Sequence, residues 1–293
     1  MKVLITGAGG FLGEELVKVL RMTEGIDLYA VTSAVKRLQQ NYSDITVLER
    51  NCIVSEEFNF CDIDVLVSCA FPRTSAGKEF DDGIAYVMKV VHKFAEESKG
   101  FIIDISSQSV YNPQRTEAAV ELDPPDTTTQ YALGKYMMEL FTDYVCKSIS
   151  RVHLRLSSLI GVGFDSRLVN KFVNQVINKQ DIKLTGGDQV FQFMDVRDAA
   201  LAIKEIIIGT EQPMESEIYN IGVDEKYTLK QIAQKVIDIG REFGFDDTKT
   251  VIEEGGIWSN SSVDCSKFSR AYDWHMRYSL DTTIRDIFKN KLY

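Results

Sequence analysis

The sequence predicts an α/β fold in which helices cover both faces of a doubly wound parallel sheet. Short apolar runs alternate with segments of helical apolar spacing through about the first 160 residues. Strands that are apolar throughout and separated by helices favour βαβ units, parallel pairing and right-handed crossovers. The predicted strands are Val3–Thr6, Leu28–Thr32, Ile45–Leu48, Val65–Cys69, Phe101–Ser106 and Val152–Leu156.

The pattern loosens after about residue 160, where glycines at positions 161, 163, 186 and 187 interrupt it. The run "EIYNIG", residues 217–222, predicts one further isolated strand. We therefore expect one domain over residues 1–160 and a smaller, irregular C-terminal lobe over residues 161–293. A part of that lobe, about residues 190–222, is expected to return to the core of the first domain.

Composition and net charge indicate which partners and which compartment to expect for this protein. The net charge of −10 argues against a nucleic-acid partner, because a phosphate backbone requires a basic surface. No apolar stretch approaches the roughly 20 residues that span a bilayer, and the start at "KVLITG" leads us to expect no targeting leader. The five cysteines form no CxxC pair and the three histidines lack metal-ligand spacing. We expect reduced thiols, no metal, no membrane and a cytoplasmic location.

Three glycines spaced three residues apart, Gly7, Gly10 and Gly13 in "TGAGGFLG", lie between the first predicted strand and the first turn of a predicted helix. Glycine lets a ligand approach the backbone closely, and a helix N-terminus attracts anions. The alternative is a tight turn that serves packing alone. Because the turn follows the first strand of a βαβ unit, the sequence predicts a site for the pyrophosphate of a dinucleotide. Phe11 and Leu12, between the last two glycines, belong to this predicted site.

The end of the second predicted strand bears on which dinucleotide is bound. An acidic residue there holds the ribose hydroxyls of NAD, whereas a small residue with a nearby cation suits the 2′-phosphate of NADP. Thr32 occupies the position, and Lys36 and Arg37 follow it. These two cations are also typical of a solvated helix start. The sequence favours NADP(H) over NAD(H), with Thr32 and Arg37 as cofactor contacts.

Candidate reacting groups lie in "TTTQYALGKYMMELF", residues 127–141. Tyr131 and Lys135 are four residues apart and share one face of the predicted helix. A free phenol has a pKa of about 10, and a neighbouring ammonium favours the phenolate, which can then exchange a proton with a substrate. Ser107 ends a predicted strand, at the edge where doubly wound folds bind ligands. An exposed helical pair and a serine turn are the structural alternatives.

With these motifs in order, the sequence resembles the extended short-chain dehydrogenases/reductases, in particular the nucleotide-sugar epimerase/dehydratase branch. "TGAGGFLG" is similar to the family's TGxxGxxG loop, "SSQSVY" to SSxxVY and "YALGK" to YxxxK. "RLSSLIGVG", "GGDQVFQFMDVRDAALAI", "YNIG" and "YDWHMRYSL" resemble later family segments, so that the resemblance covers nearly the whole chain.

The resemblance implies a Rossmann domain that binds NAD(P), catalysis by Ser107, Tyr131 and Lys135, and a cofactor loop at the three glycines. The expected cofactor site also includes Ala70 and Lys135. The C-terminal third would form the substrate lobe. The resemblance further implies a homodimer formed through two helices, at about residues 82–98 and 127–148.

Departures from the family pattern refine the expected reaction. In the 4,6-dehydratases of this branch an Asp-Glu pair follows the catalytic Ser or Thr, whereas this chain has Gln108 and Ser109. Neither side chain can protonate a leaving hydroxide, which disfavours dehydration. Phe191 stands where an arginine often contacts the nucleotide diphosphate, and Ser158 replaces the usual asparagine after the sixth strand.

Three functions stay open on the sequence. The first is an epimerase or ketoreductase that acts on a sugar carbon, with a nucleotide-diphosphate sugar as substrate. The second is a reductase of another small carbonyl compound, which would explain Phe191 and would turn over no sugar nucleotide. The third is a non-catalytic NADP-binding regulator, a class that commonly lacks the tyrosine or the lysine that this chain retains.

Overall fold

The computed structural model describes residues 1–72, 74, 76–209 and 216–293. Its strands, in chain order, are β1 (Lys2–Thr6), β2 (Asp27–Thr32), β3 (Thr46–Glu49), β4 (Val65–Ser68), β5 (Phe101–Ser107), β6 (Arg151–Leu156), β7 (Ser158–Ile160), β8 (Ile182–Thr185), β9 (Val190–Phe191), β10 (Phe193–Asp195), β11 (Glu217–Ile221), β12 (Tyr227–Thr228) and β13 (Thr250–Glu253).

The α-helices of the described ranges are α1 (Phe11–Leu20), α2 (Val35–Asn41), α3 (Lys78–Glu97), α4 (Gln130–Val145), α5 (Leu168–Ile177), α6 (Val196–Gly209), α7 (Leu229–Glu242), α8 (Ser266–Tyr272) and α9 (Leu280–Leu292). Short 3₁₀ helices lie at Cys52–Val54 and Gln108–Val110.

The principal sheet of the described residues has seven strands in the order β11-β6-β5-β4-β1-β2-β3. β1 pairs in parallel with β2 and β4, so that Val3 lies between Leu28 and Val65. The chain first adds β2 and β3 on one side of β1 and then returns to add β4 and β5 on the other. This reversal is the doubly wound topology, and it confirms the predicted fold class. Ligands of such sheets bind where the order reverses, at the carboxyl ends of the strands.

The predicted strands lie within one or two residues of β1 to β6. The run "EIYNIG" forms β11, which takes the sheet edge beside β6. The hydrophobic pattern predicts the strand β11 but not its neighbour β6, because pairing between strands far apart in the chain leaves no local signal.

Two compact units divide the chain. The first contains Met1–Val110, Pro124–Arg155 and Ala200–Tyr219. Its apolar core includes Leu4, Leu66 and Phe94, all fully buried. The second contains Tyr111–Asp123, Leu156–Ala199 and Asn220–Tyr293. Its core joins α5, α7 and α9 around residues such as Val173, Val236 and Phe288. The boundary at residue 160 and the substrate-binding role of residues 161–293 stay predictions.

Candidate functional site

The glycine loop joins β1 to α1 at the point where the sheet order reverses. Gly7 has φ +66°, and a Cβ added to it would lie 2.9 Å from the backbone of Ala70, just beyond β4. A Cβ on Gly13 would lie 2.3 Å from the carbonyl oxygen of Gly7. Both positions therefore require glycine for close backbone packing, and this packing places Ala70 at the loop.

The first turn of α1 faces the same loop. Gly10 is the N-cap and supplies no side-chain hydrogen bond to the helix. The first N–H groups of a helix have no acceptor within it, and they carry the positive end of the helix dipole. Phe11, Leu12 and Gly13 form this turn. A glycine-lined cradle at a helix N-terminus, at the reversal of the sheet, fits the pyrophosphate of a dinucleotide.

Thr32 and Arg37 lie beside the glycine loop. Thr32 ends β2, is buried, and accepts a hydrogen bond from the Ala34 N–H at 3.0 Å. A Cβ on Gly9 would lie 2.5 Å from the Thr32 hydroxyl oxygen, so the strand end contacts the loop directly. Arg37 Nη2 donates to the Gly9 carbonyl oxygen at 2.9 Å and lies 2.9 Å from a Glu14 carboxylate oxygen. The guanidinium is thus held at the loop.

Tyr131 and Lys135 occupy the first two turns of α4, which the Thr129 hydroxyl caps by accepting the Ala132 N–H. The Tyr131 side chain is 36% exposed, whereas Lys135 is 6% exposed. Lys135 Nζ donates to the Ile105 carbonyl oxygen at 2.7 Å. The helix therefore presents an accessible phenol one turn from a buried ammonium, and the ammonium is fixed to β5.

Ser107 is the last residue of β5. Its hydroxyl oxygen lies 2.7 Å from that of Ser109 and accepts the Ser109 N–H at 3.2 Å. Two residues earlier on the same strand, Ile105 holds Lys135. The structure thus brings Ser107 and the lysine of the predicted pair to the carboxyl end of one strand.

Sequence reasoning missed two side chains at this site, Phe71 and Glu139. The Phe71 ring contacts Tyr131 and Lys135. Buried Glu139 accepts hydrogen bonds from Ser106 and from Arg155, whose Nη2 lies 2.7 Å from Oε2. The spacing 131, 135, 139 places the glutamate on the face that carries the predicted pair, which is the signal that could have found it. Phe71 leaves no comparable signal.

A second charged cluster lies further along α4. The ring nitrogens of buried His153 lie 3.0 Å from an Asp104 oxygen and 3.3 Å from an Asp143 oxygen. Burial lowers the pKa of His153, but the hydrogen bonds to the two carboxylates outweigh it and raise the pKa to about 9. The imidazolium is therefore charged at neutral pH and ties α4 to β5 and β6. Nearby, burial raises the pKa of the Cys69 thiol to about 12, so this thiol stays neutral.

The four residues that depart from the family pattern each lie in a helix or strand of the described structure. Gln108 and Ser109 belong to the 3₁₀ helix after β5. Phe191 lies in the second unit and stacks on Phe193 with ring centroids 5.7 Å apart. Ser158 begins β7 and pairs with Phe193.

Within the described ranges, no group of three or more His, Cys, Asp or Glu side chains is arranged to hold a metal ion. Among the helices of the same residues, none is long and apolar enough to cross a membrane.

The sequence is similar to a known protein family and to two characterised sugar-pathway proteins. The model of a family described as "NAD dependent epimerase/dehydratase family" matches residues 3–222. GDP-6-deoxy-D-talose 4-dehydrogenase from Aggregatibacter actinomycetemcomitans is 24% identical over 249 residues, 82% of this chain and 80% of that protein. The spore coat polysaccharide biosynthesis protein SpsK from Bacillus subtilis is 28% identical over 233 residues, 77% of this chain and 76% of that protein.

Solved structures share the fold. UDP-glucuronic acid 4-epimerase from Bacillus cereus, in complex with UDP-glucuronic acid and NAD, matches with a TM-score of 0.82 at 20% identity and covers 100% of both chains. UDP-glucose 4-epimerase from Thermotoga maritima, with UDP-glucose, matches with a TM-score of 0.81 at 18% identity, again over 100% of both chains.

Proposed function

Because the chain belongs to the NAD-dependent epimerase/dehydratase family, we propose that it is an NAD(P)-dependent enzyme that oxidises or reduces a sugar carbon of a nucleoside-diphosphate sugar. The observation that carries the proposal is the accessible Tyr131 phenol one helical turn from Lys135, whose ammonium is fixed at the carboxyl end of β5. The relatives named above, a sugar-nucleotide dehydrogenase and two epimerases, support the substrate class.

Each residue has a defined task in this proposal. When bound on the glycine loop, the nicotinamide dinucleotide supplies or accepts the hydride. Tyr131 exchanges a proton with the reacting hydroxyl or carbonyl oxygen of the sugar. Lys135 keeps a positive charge beside the phenol, which favours the phenolate, and Ser107 donates a hydrogen bond that orients the reacting oxygen. Gly7, Gly10 and Gly13, with Phe11, Leu12 and Ala70, hold the dinucleotide.

The residues after Ser107 argue against loss of water as the reaction. A dehydratase needs an acid that protonates the leaving hydroxide and a base that removes a carbon-bound proton. The Gln108 amide cannot supply either proton transfer, and the Ser109 hydroxyl is too weak an acid and too weak a base to do so. We therefore assign the chain to the epimerases and ketoreductases of its family rather than to the 4,6-dehydratases.

The experiment that tests the proposal begins with protein that is denatured immediately after purification, so that any released nicotinamide nucleotide can be identified. An epimerase retains its dinucleotide through the cycle, so near-stoichiometric NAD supports the epimerase. An empty site, or NADP(H) that washes out, supports a ketoreductase.

The same preparation is then assayed with UDP- and GDP-linked sugars and their keto forms. Turnover of any of these supports the proposal. Turnover restricted to non-phosphorylated ketones or aldehydes overturns the substrate class, and a dinucleotide bound without any turnover indicates a regulator.

Our proposal for the cofactor is NADP(H), on the basis of the pair Thr32 and Arg37. Thr32 ends β2 without a carboxylate, and Arg37 is held at the loop by Gly9 and Glu14. A 2′-phosphate would find a cation there and no opposing charge at the strand end. The neighbouring Glu14 carboxylate partly neutralises the guanidinium, which is why we expect a moderate preference.

Thr32→Asp tests the preference. The new carboxylate repels a 2′-phosphate and can hold ribose hydroxyls, so the ratio of kcat/KM for NADPH to that for NADH should fall by roughly tenfold, or about 1.4 kcal/mol. Thr32→Asn introduces a side chain of the same shape as aspartate but without its charge, and it should change the ratio by less than about threefold. Equal ratios in the Asp variant and the wild type would show that the ribose does not lie at Thr32.

We further propose that the chain forms a homodimer through α3 and α4. The outer side of α4 exposes Leu133, Met137, Leu140 and Tyr144 to solvent. A groove of about 340 Å³ lies between the two helices and is lined by Phe80, Ile84, Met88, Leu133 and Met137 among others. Contiguous exposed apolar surface of this kind marks an interaction site, and a second copy would pair identical faces about a two-fold axis.

Met137→Glu is expected to dissociate the dimer. The charge would be buried against an apolar partner surface, so the dissociation constant should rise by roughly 100-fold or more, about 3 kcal/mol. Sedimentation velocity distinguishes the dimer from the 33.1-kDa chain. Met22→Glu, at an exposed methionine in the turn after α1, is the control and should sediment as the wild type does. A wild-type protein that sediments as a monomer at every concentration contradicts the proposal.

A further inference from the structure

Phe71 lies against both members of the Tyr131–Lys135 pair. Its ring meets the Tyr131 ring edge to face, with centroids 5.3 Å apart and an interplanar angle of 80°. Lys135 Nζ lies 3.9 Å from the centroid of the same Phe71 ring. One side chain, three residues after β4, thus contacts both groups that the proposed chemistry requires.

The approach of α4 to this ring depends on a glycine. A Cβ on Gly134 would lie 2.7 Å from Phe80 Cζ and 3.2 Å from Phe71 Cζ. Phe80 in turn packs edge to face on Phe71, with centroids 6.1 Å apart. The aromatic pair therefore fits against α4 because position 134 lacks a side chain. The residue before Phe71 is Ala70, whose backbone packs on Gly7 of the glycine loop.

We propose that Phe71 is a positioning residue for the reaction of Tyr131 and Lys135, an inference that rests on the function proposed above. The face of an aromatic ring attracts a cation, and this attraction is stronger where water is excluded. A lysine side chain otherwise has many rotamers. Lys135 has two contacts that restrict it, the Ile105 carbonyl oxygen and the Phe71 ring.

The consequence for catalysis follows from distance. The charge of an ammonium favours the phenolate of a neighbouring tyrosine only when the two groups are held close together, because the interaction weakens with distance and with water between them. Phe71 meets the Lys135 ammonium with its face, and its ring packs edge to face with the Tyr131 ring. It connects this pair, through Ala70, to the loop that binds the cofactor.

Kinetics of Phe71→Leu test the role. Leucine keeps an apolar side chain but has no π face, so kcat should fall roughly tenfold, the size of a lost desolvated cation–π contact, while KM changes little. Phe71→Tyr keeps the aromatic face and should restore kcat.

Phe80→Leu is the matched control, because it removes a ring that packs on Phe71 while leaving the contacts of Phe71 with Tyr131 and Lys135 in place. It should lower stability and leave kcat near the wild-type value. If Phe71→Leu and Phe80→Leu have the same kcat, Phe71 serves packing alone and the proposal is wrong.

A readout that needs no substrate separates this inference from the proposed function. In protein with ¹³C-labelled lysine, the Lys135 Hε resonance, assigned with Lys135→Met, should be shifted upfield by the Phe71 ring current. Phe71→Leu should lose this shift and Phe80→Leu should keep it. Absence of the shift in the wild type overturns the inference. A wild type that shows it but turns over no nucleotide sugar overturns the proposed function and the catalytic consequence, and the contact itself stands.

Discussion

Replacing Tyr131 by phenylalanine is expected to lower kcat by roughly 10²- to 10⁴-fold, the usual contribution of a general acid or base. The substitution removes one oxygen atom and leaves the ring that packs on Phe71. Binding of the dinucleotide should be unchanged, because the glycine loop and Thr32 are untouched. Steady-state rates with a nucleotide sugar measure the loss, and a fluorescence titration with NADPH or NADH measures binding.

Tyr136→Phe is the control for this variant. Tyr136 lies on the same helix, next to Lys135, and is half-buried. Its hydroxyl has no place in the proposed reaction, so the variant should keep wild-type rates within about threefold. Wild-type turnover by Tyr131→Phe would refute the assignment of the phenol, whereas a loss of turnover together with a loss of cofactor binding would point to a disturbed fold.

Glu139→Gln is expected to cost the fold about 3–5 kcal/mol, the usual penalty for breaking a buried ion pair by removal of one partner. Glu139 and Arg155 are each 3% exposed at the side chain and form two hydrogen bonds, of 2.7 and 3.0 Å. The variant leaves the Arg155 guanidinium buried without its counter-charge. Urea unfolding at neutral pH gives the free energy of unfolding for the wild type and the variant.

Two further variants test whether the loss of stability in Glu139→Gln comes from the buried ion pair. Asp247→Asn breaks an exposed ion pair with Lys179, at 3.2 Å, and should cost less than about 1 kcal/mol. Glu139→Met combined with Arg155→Met removes both buried charges and should recover much of the loss, because an apolar pair of similar volume needs no counter-charge. A cost below about 1 kcal/mol for Glu139→Gln would show that Arg155 is held by other contacts.

The parts of the site that could be predicted from the sequence are those with a local signal. The glycine loop follows one predicted strand and opens one predicted helix, so the local sequence pattern indicates where Gly7, Gly10 and Gly13 lie. Thr32 was placed by counting to the end of the second strand, and β2 ends at that residue. Tyr131 and Lys135 were found because helical spacing fixes their common face.

The parts that could not be predicted depend on contacts between segments far apart in the chain. Phe71 lies in the segment that follows β4, and only the packing of α4 against that segment brings it to Lys135. Arg155 meets Glu139 because β6 lies beside β5 in the sheet, an order that no local pattern encodes. The catalytic roles of Ser107, Tyr131 and Lys135 themselves stay proposals until the variants are measured.

Three contacts of charged side chains hold α4 to the neighbouring strands β5 and β6. Lys135 is bound to the β5 backbone, Glu139 to Arg155 of β6, and Asp143 to His153 of the same strand. Separating the helix from the sheet would break all of these charged contacts at once. We therefore expect the amide hydrogens of α4 between Lys135 and Asp143 to exchange only when β5 and β6 open as well.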